Sequence, residues 1–194
     1  MRELILGGQR SGKSRQAEAR AAHWLAQSPR HEALLVATAL GEDAKMRERI
    51  ARHRADRRER LPRMETIEVA HDLAAALRVQ VSPQRLLVVD CLTLWLTHLL
   101  MPAHGAAASA DTQRAACSDL LAALHEAPGP VVVVSNEIGL GVTPLTPEAR
   151  RFVDELGRLH QAVAAVCERV TLMVAGQALA VKGGAMGAAR GAQP

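Results

Sequence analysis

Apolar positions in this chain follow two alternating rhythms. Short, nearly unbroken runs occur at Leu4–Leu6, Leu34–Val36, Leu86–Val89, Val131–Val134 and Val170–Val174. Runs of this length, rich in Val, Leu and Ile, predict strands covered on both faces, as in a parallel sheet. Thr66–Val69 alternates and predicts a shorter strand. Between the runs the apolar spacing becomes three and four. The clearest case follows Pro147, where Phe152, Leu156, Leu159, Val163 and Val166 fall on one helical stripe, and Pro itself suits a first helical turn. Helices are also predicted over 15–25, 43–60, 72–79, 92–101 and 111–125, with Ser28-Pro29, Pro83 and Gly129-Pro130 as breaks. Strand and helix alternation implies right-handed βαβ units and one mainly parallel sheet flanked by helices, an α/β fold. Val170–Val174 is the last predicted strand. One domain is expected over 1–182, and the Gly/Ala-rich tail, 183–194, has little to bury and is expected to be flexible.

The polar positions gain meaning from where they interrupt this pattern. Directly after Leu4–Leu6 comes Gly7-Gly8-Gln9-Arg10-Ser11-Gly12-Lys13-Ser14, a complete G-x-x-x-x-G-K-S. Glycines allow the loop to turn its backbone N–H groups inward toward a phosphate. A helix beginning near Lys13 adds its positive end. The Lys13 ammonium would reach the β- and γ-phosphates and the Ser14 hydroxyl would ligate Mg²⁺. The strand before the motif and the Ala-rich helix after it are the context this chemistry needs, so the chain is expected to bind a nucleoside triphosphate.

Three other strand ends carry candidate chemistry. Leu86–Val89 runs into Asp90, the pattern of a carboxylate that holds Mg²⁺ beside a phosphate loop. The small residues Ala37, Thr38 and Ala39 follow the second strand, at the sheet edge where α/β proteins keep ligands. Ser135-Asn136-Glu137 follows the four valines of 131–134.

Charge narrows the choice of ligand. The net charge of the 194-residue chain is +4. The segment Lys45–Arg60 alone holds eight basic and three acidic residues, so the remainder is close to neutral. A basic surface confined to one helix suits one anionic ligand better than a polynucleotide. Aromatic residues are only Trp24, Trp95 and Phe152, which offers no stacking platform for single strands. No apolar run approaches the ~20 residues of a membrane span, the first strand leaves no room for a signal peptide, and Cys91, Cys117 and Cys167 show no metal-ligand spacing. A cytoplasmic protein with reduced thiols is expected. Within the basic segment Met46, Ile50, His53 and Arg57 share a face. By spacing alone His53 reads as a surface histidine on a solvated helix.

Taken together, Gly7–Ser14, then Arg49-Ile50-Ala51-Arg52-His53-Arg54, Asp90-Cys91-Leu92-Thr93 and Ser135-Asn136-Glu137-Ile138-Gly139 resemble the bifunctional adenosylcobinamide kinase/adenosylcobinamide-phosphate guanylyltransferases of cobalamin biosynthesis, over residues 3–182. The resemblance implies a P-loop NTPase domain of RecA-like type. It implies that ATP or GTP phosphorylates the aminopropanol hydroxyl of adenosylcobinamide. GTP then supplies GMP, through a GMP-histidine intermediate, to give adenosylcobinamide-GDP. His53 takes the place of the guanylylated histidine. Nucleotide contacts are implied at Gly7, Gly8, Gln9, Arg10, Ser11, Gly12, Lys13, Ser14, Ala37, Thr38, Ala39, Arg54, Ala55, Asp56, Arg57, Glu68 and Asp90, with Mg²⁺ on Ser14 and Asp90. The partners implied are adenosylcobinamide, guanine nucleotide and further copies of the chain in a trimer; no nucleic acid is implied. The other histidines, His160 among them, read as surface or packing residues. Two rival readings share the first motif: another P-loop small-molecule kinase, and a nucleic-acid-stimulated ATPase gripping phosphates with Lys45–Arg60.

Overall fold

The apolar runs become the strands of one seven-stranded sheet. The structure, a computed structural model, describes residues 1–39, 48, 51, 55 and 57–183. Strands β1 (Arg2–Gly7), β2 (Glu32–Ala37), β3 (Met64–Glu68), β4 (Arg85–Asp90), β5 (Val131–Asn136), β6 (Arg169–Val174) and β7 (Gln177–Lys182) lie in the order β3-β2-β4-β5-β1-β6-β7. All neighbours are parallel except β6 and β7. Helices α1 (Lys13–Gln27), α2 (Leu73–Gln80), α3 (Leu92–Leu100), α4 (Ala110–Glu126) and α5 (Pro147–Val166) connect them, and residues 48, 51, 55 and 57–60 are also helical.

Alternate side chains of each strand serve opposite faces, which the two-residue period of a strand requires. Leu4, Leu34, Val36, Leu87, Val89, Val131 and Val133 pack on α2, α3, α4 and α5. Ile5, Leu35, Leu86, Val88, Val132 and Val134 pack under α1 with Leu61 and Met64. Because both faces are covered, the strands need no polar side, and this is why their sequences are continuous apolar runs. Thr146 caps α5 by accepting a hydrogen bond from Ala149 N at 3.2 Å, with Pro147 in the first turn. Its stripe then buries Phe152, Leu156, Leu159 and Val163.

Strand β7 departs from the sequence expectation, which ended the sheet at Val174. Ala175 and Gly176 both have positive φ, 50° and 79°, the conformation of a two-residue hairpin turn. All six residues of β7 are exposed. An exposed edge strand lacks the dense apolar run that marks the buried strands, so its pairing with β6 leaves a weak trace in the sequence. The remainder of the expected tail, 184–194, lies outside the described residues.

Candidate active site

The registers bring five strand ends to one edge. Gly7 pairs with Asn136, Ala37 pairs with both Glu68 and Asp90, and Asp90 pairs with Val134. Strand β5 thus separates the strand feeding the glycine loop from the strand ending in Asp90, and the loop opens where these ends converge.

The loop owes its course to backbone conformations that only some residues tolerate. Gly7 has φ +155°, and a Cβ there would lie 2.5 Å from the Met173 carbonyl oxygen and 2.6 Å from Ser11 Oγ. Gly12, with φ 101°, is the residue that precedes α1. Lys13 is buried and donates from Nζ to Gly8 O at 2.7 Å, so its ammonium is folded over the loop. Ser11 Oγ is buried and has no hydrogen-bond partner among the described residues. Ser14 Oγ donates to Asp90 Oδ2 at 2.8 Å, which joins the glycine loop to the end of β4. Helix α1 is held from beneath by Glu3, which is fully buried. Its carboxylate accepts from Arg20 Nε and Nη2 at 2.7 and 3.0 Å and from Thr171 Oγ1 at 2.7 Å. Removing the Arg20 charge would leave the Glu3 carboxylate buried and uncompensated in the sheet, at a cost of several kcal/mol.

Asp90 and Ser14, whose oxygens meet at 2.8 Å, offer one carboxylate and one hydroxyl, both hard oxygen donors. That fits Mg²⁺, which takes one carboxylate and fills its octahedron with hydroxyl, phosphate and water oxygens.

The other expected contacts are distributed unevenly. Gly8, Gln9 and Arg10 are exposed at the loop, Arg10 with φ 54°. Ala37 and Ala39 border the edge, but Thr38 is fully buried. Its hydroxyl donates to Cys91 O at 2.7 Å and accepts from Cys91 N at 2.8 Å, and its carbonyl faces His98 Nε2 at 2.9 Å. The side chain of Thr38 therefore ties β2 to the chain after Asp90. Burial, with the Asp90 charge adding to it, pushes the Cys91 thiol up to about 11. Glu68 is exposed at the end of β3. Arg57 is buried and Ala55 exposed, and His53, Arg54 and Asp56 lie outside the described residues. The end of the basic segment is attached to the loop's own helix, because Arg60 Nη2 donates to Glu18 Oε2 of α1 at 2.8 Å.

A second polar cluster, absent from the expected site, lies on the other side of Gly7. Glu137 N donates to Gly7 O at 2.9 Å. One carboxylate oxygen accepts from Gly139 N at 2.7 Å, and the other lies 3.7 Å from His160 Nδ1. His160 is buried on α5, with Nε2 2.7 Å from Ser135 Oγ. Ser135 Oγ is 3.1 Å from Thr93 Oγ1, which accepts from Asn136 N at 2.8 Å. Asn136 N–H donates to Thr93, and a sense of donation that continues from it runs from the Thr93 hydroxyl to Ser135 and from the Ser135 hydroxyl to His160 Nε2. The imidazole proton then sits on Nδ1, facing Glu137; the opposite sense would aim a lone pair at the carboxylate. Burial lowers the pKa of His160 more than Glu137 raises it, in keeping with a neutral ring. The only sequence signal for this cluster is the abrupt Ser135-Asn136-Glu137 after four valines; His160 itself looks like one more member of an apolar stripe.

Comparison with known proteins bears on the whole chain. The cobinamide kinase / cobinamide phosphate guanyltransferase family matches residues 3–181. The chain is 50% identical over 187 residues to the bifunctional adenosylcobalamin biosynthesis protein CobP of Pseudomonas aeruginosa, covering 94% of this chain and 98% of that one. It is 33% identical to the bifunctional adenosylcobalamin biosynthesis protein CobU of Escherichia coli, covering 92% and 98%. Among solved structures, the flagellar accessory protein FlaH of Methanocaldococcus jannaschii is similar in fold, with a TM-score of 0.50 at 11% identity, over 93% of this chain and 77% of that one. No helix among the described residues is long and apolar enough to cross a membrane. With a phosphate loop joined to Asp90 and these matches along nearly its full length, the chain belongs to the cobinamide kinase/cobinamide phosphate guanyltransferase family and is an adenosylcobinamide kinase and adenosylcobinamide-phosphate guanylyltransferase of cobalamin biosynthesis.

Proposed function

We propose that both reactions use one triphosphate seat, the loop Gly7–Ser14, and that His53 is the nucleophile of the second. The observation that carries the shared seat is the 2.8 Å contact of Ser14 Oγ with Asp90 Oδ2, which brings both phosphate-site elements to one point. Lys13 and the loop amides hold the β- and γ-phosphates. Ser14 and Asp90 hold Mg²⁺, which supplies charge neutralisation on the phosphates when bound. Gln9, Arg10 and Ser11 line the loop, while Ala37, Ala39 and Glu68 border the nucleoside end, where Thr38 holds the backbone in place. ATP or GTP gives its γ-phosphoryl group to the aminopropanol hydroxyl of adenosylcobinamide.

In the second reaction GTP presents its α-phosphorus to His53. An imidazole with an ordinary pKa near 6.5 is largely neutral at pH 7 and nucleophilic. Arg54, Ala55, Asp56 and Arg57, next to the histidine in the chain, contribute contacts to the nucleotide, and the guanidinium charges stabilise the charge that builds on the α-phosphate. GMP bonds to the imidazole nitrogen as pyrophosphate departs, and the phosphate on adenosylcobinamide then displaces the histidine. The Arg60–Glu18 pair supports this reading, because it anchors the end of the histidine's segment to the helix that begins at the phosphate loop. The enzyme works in the cytoplasm, where its nucleotide substrates are, as a homo-oligomer, a trimer by resemblance; the exposed Leu179 and Val181 of β7 suit burial against another copy.

Incubation with α-labelled GTP tests the nucleophile. The wild-type protein should take up label in an acid-labile, alkali-stable form, as a phosphorus–nitrogen bond to imidazole requires. His53→Ala should take up none and make no adenosylcobinamide-GDP, while phosphorylation of adenosylcobinamide persists, since γ-phosphoryl transfer rests on positioning and charge. Labelling of the variant would move the nucleophile elsewhere.

A further inference from the structure

Glu137 has the placement of a catalytic group without yet having a task. Its backbone N–H is bonded to the first glycine of the phosphate loop at 2.9 Å. It follows Asn136, the register partner of Gly7, on the strand between the loop strand and the strand of Asp90. Its side chain is 23% exposed, so the carboxylate is restrained but reachable. The restraints are specific: Gly139 N–H on one oxygen at 2.7 Å, the His160 Nδ1 side of the ring 3.7 Å from the other. Behind the ring, Ser135 lies 2.7 Å from Nε2 and is linked through Thr93 to the Asn136 amide, which holds the ring in place. Three elements, α3, β5 and α5, thus converge on holding one carboxylate beside the triphosphate seat. A buried network of linked polar groups holds its members in place, which favours a single orientation of its terminal group.

We propose that Glu137 is the base that receives the proton of the substrate hydroxyl in the kinase reaction, and that His160 is the positioning residue that orients it. The substrate oxygen forms its bond to the γ-phosphorus as the bond from that phosphorus to the β-phosphate oxygen breaks. The electron pair leaves with the nucleoside diphosphate. The hydroxyl proton passes to the Glu137 carboxylate and from there to water. Guanylyl transfer to an imidazole involves no hydroxyl proton, so the two half-reactions depend on Glu137 unequally. The inference rests on the triphosphate lying in the Gly7–Ser14 loop, and nucleotide affinity reports on that seat separately.

The test is steady-state phosphorylation of adenosylcobinamide with γ-labelled ATP and γ-labelled GTP, run separately, beside equilibrium binding of each nucleotide and uptake of α-labelled GTP. Glu137→Gln should lower the kinase kcat about 100-fold, the lower end of what a positioned base contributes, with nucleotide affinity little changed. Guanylyl uptake should fall far less than the kinase rate. Equal loss in both reactions, or loss of affinity in step with kcat, would overturn the assignment. Loss of nucleotide binding in Lys13→Ala but not in Glu137→Gln shows the seat to be sound. Failure of Lys13→Ala to lose binding would instead sink the seat.

Two substitutions of His160 separate positioning from packing. Asn places its amide near the former Nδ1 and keeps a donor toward Glu137. Gln places its amide near the former Nε2 and keeps a partner for Ser135. His160→Asn should retain more kinase kcat than His160→Gln, with similar KM values. Equal activities, or the reverse order, would reduce His160 to a core histidine. Thermal unfolding midpoints of both variants identify any that fail to fold, and Glu137→Gln, a near-isosteric change at a partly exposed side chain, tests the base independently.

Discussion

The two polar regions flanking Gly7 are built in opposite ways. On one side the glycine loop is local: eight consecutive residues supply the backbone turn, the ammonium and the hydroxyl, and Asp90 joins them from the end of β4. On the other side Glu137, His160, Ser135 and Thr93 come from different parts of the chain, with 42 residues separating Thr93 from Ser135 and 25 separating Ser135 from His160. The local region depends on backbone conformation, and a wrong residue fails by steric collision, as at Gly7. The assembled region depends on α3 and α5 packing correctly on β5, and fails by leaving polar groups unpaired. The difference teaches that binding and orientation can rest on separate physical foundations a few ångströms apart on one sheet edge.

The largest expected effect comes from the local region. Lys13→Ala should remove both the kinase and the guanylyl-transfer reactions, because both need a seated triphosphate. Assay of each half-reaction on the purified variant checks this, and full activity in either would take the loop out of that step. Asp90→Asn sharpens the comparison at the long-range side-chain contact between Ser14 and Asp90. The amide keeps the shape and loses the charge, so the fold should hold, while activity should require more Mg²⁺ and fall by roughly 10-fold or more at limiting metal, as loss of ~1.4 kcal/mol would give. A Mg²⁺ titration overlaying the wild type would count against the metal role.

The smallest effect belongs to the assembled region and is one of stability. Burial depresses the pKa of His160 below its ordinary 6.5, against the opposing pull of Glu137. A lowered folded-state pKa for a base means that the unfolded chain binds the proton more readily. Stability from keeping this ring neutral is therefore present above pH 6.5 and declines as the pH falls below it. His160→Gln, which cannot titrate, should lose less stability than the wild type between pH 7 and pH 5. Parallel denaturant midpoints for the two proteins across that range would show that the ring titrates as freely folded as unfolded.

Much of the fold was legible because its physics is local or periodic. Buried parallel strands demand continuous apolar runs, so five of them announced themselves, and a phosphate loop demands glycines at fixed spacing before Lys13 and Ser14. Family resemblance then supplied His53, whose spacing alone suggests only a solvated face, and His53 lies outside the described residues. Strand β7 was missed because an exposed edge strand needs no such run; its hairpin is made by the positive φ of Ala175 and Gly176. Thr38 stood in the sequence as a small residue beside a ligand, whereas folding commits its hydroxyl to Cys91.

What the amino-acid order determined by itself is the phosphate loop, since its residues are neighbours and its geometry is a property of their own backbone, together with the alternation that makes an α/β sheet. What only the tertiary structure decided is which strand ends meet. The order β4-β5-β1 brings Asp90 to Ser14 and Glu137 to Gly7, and the packing of α5 on β5 turns His160 from a member of an apolar stripe into the partner of Ser135. A hydrogen bond forms over about 3 Å, and no regularity in the sequence carries information at that scale between residues whose proximity depends on how the whole sheet is wound.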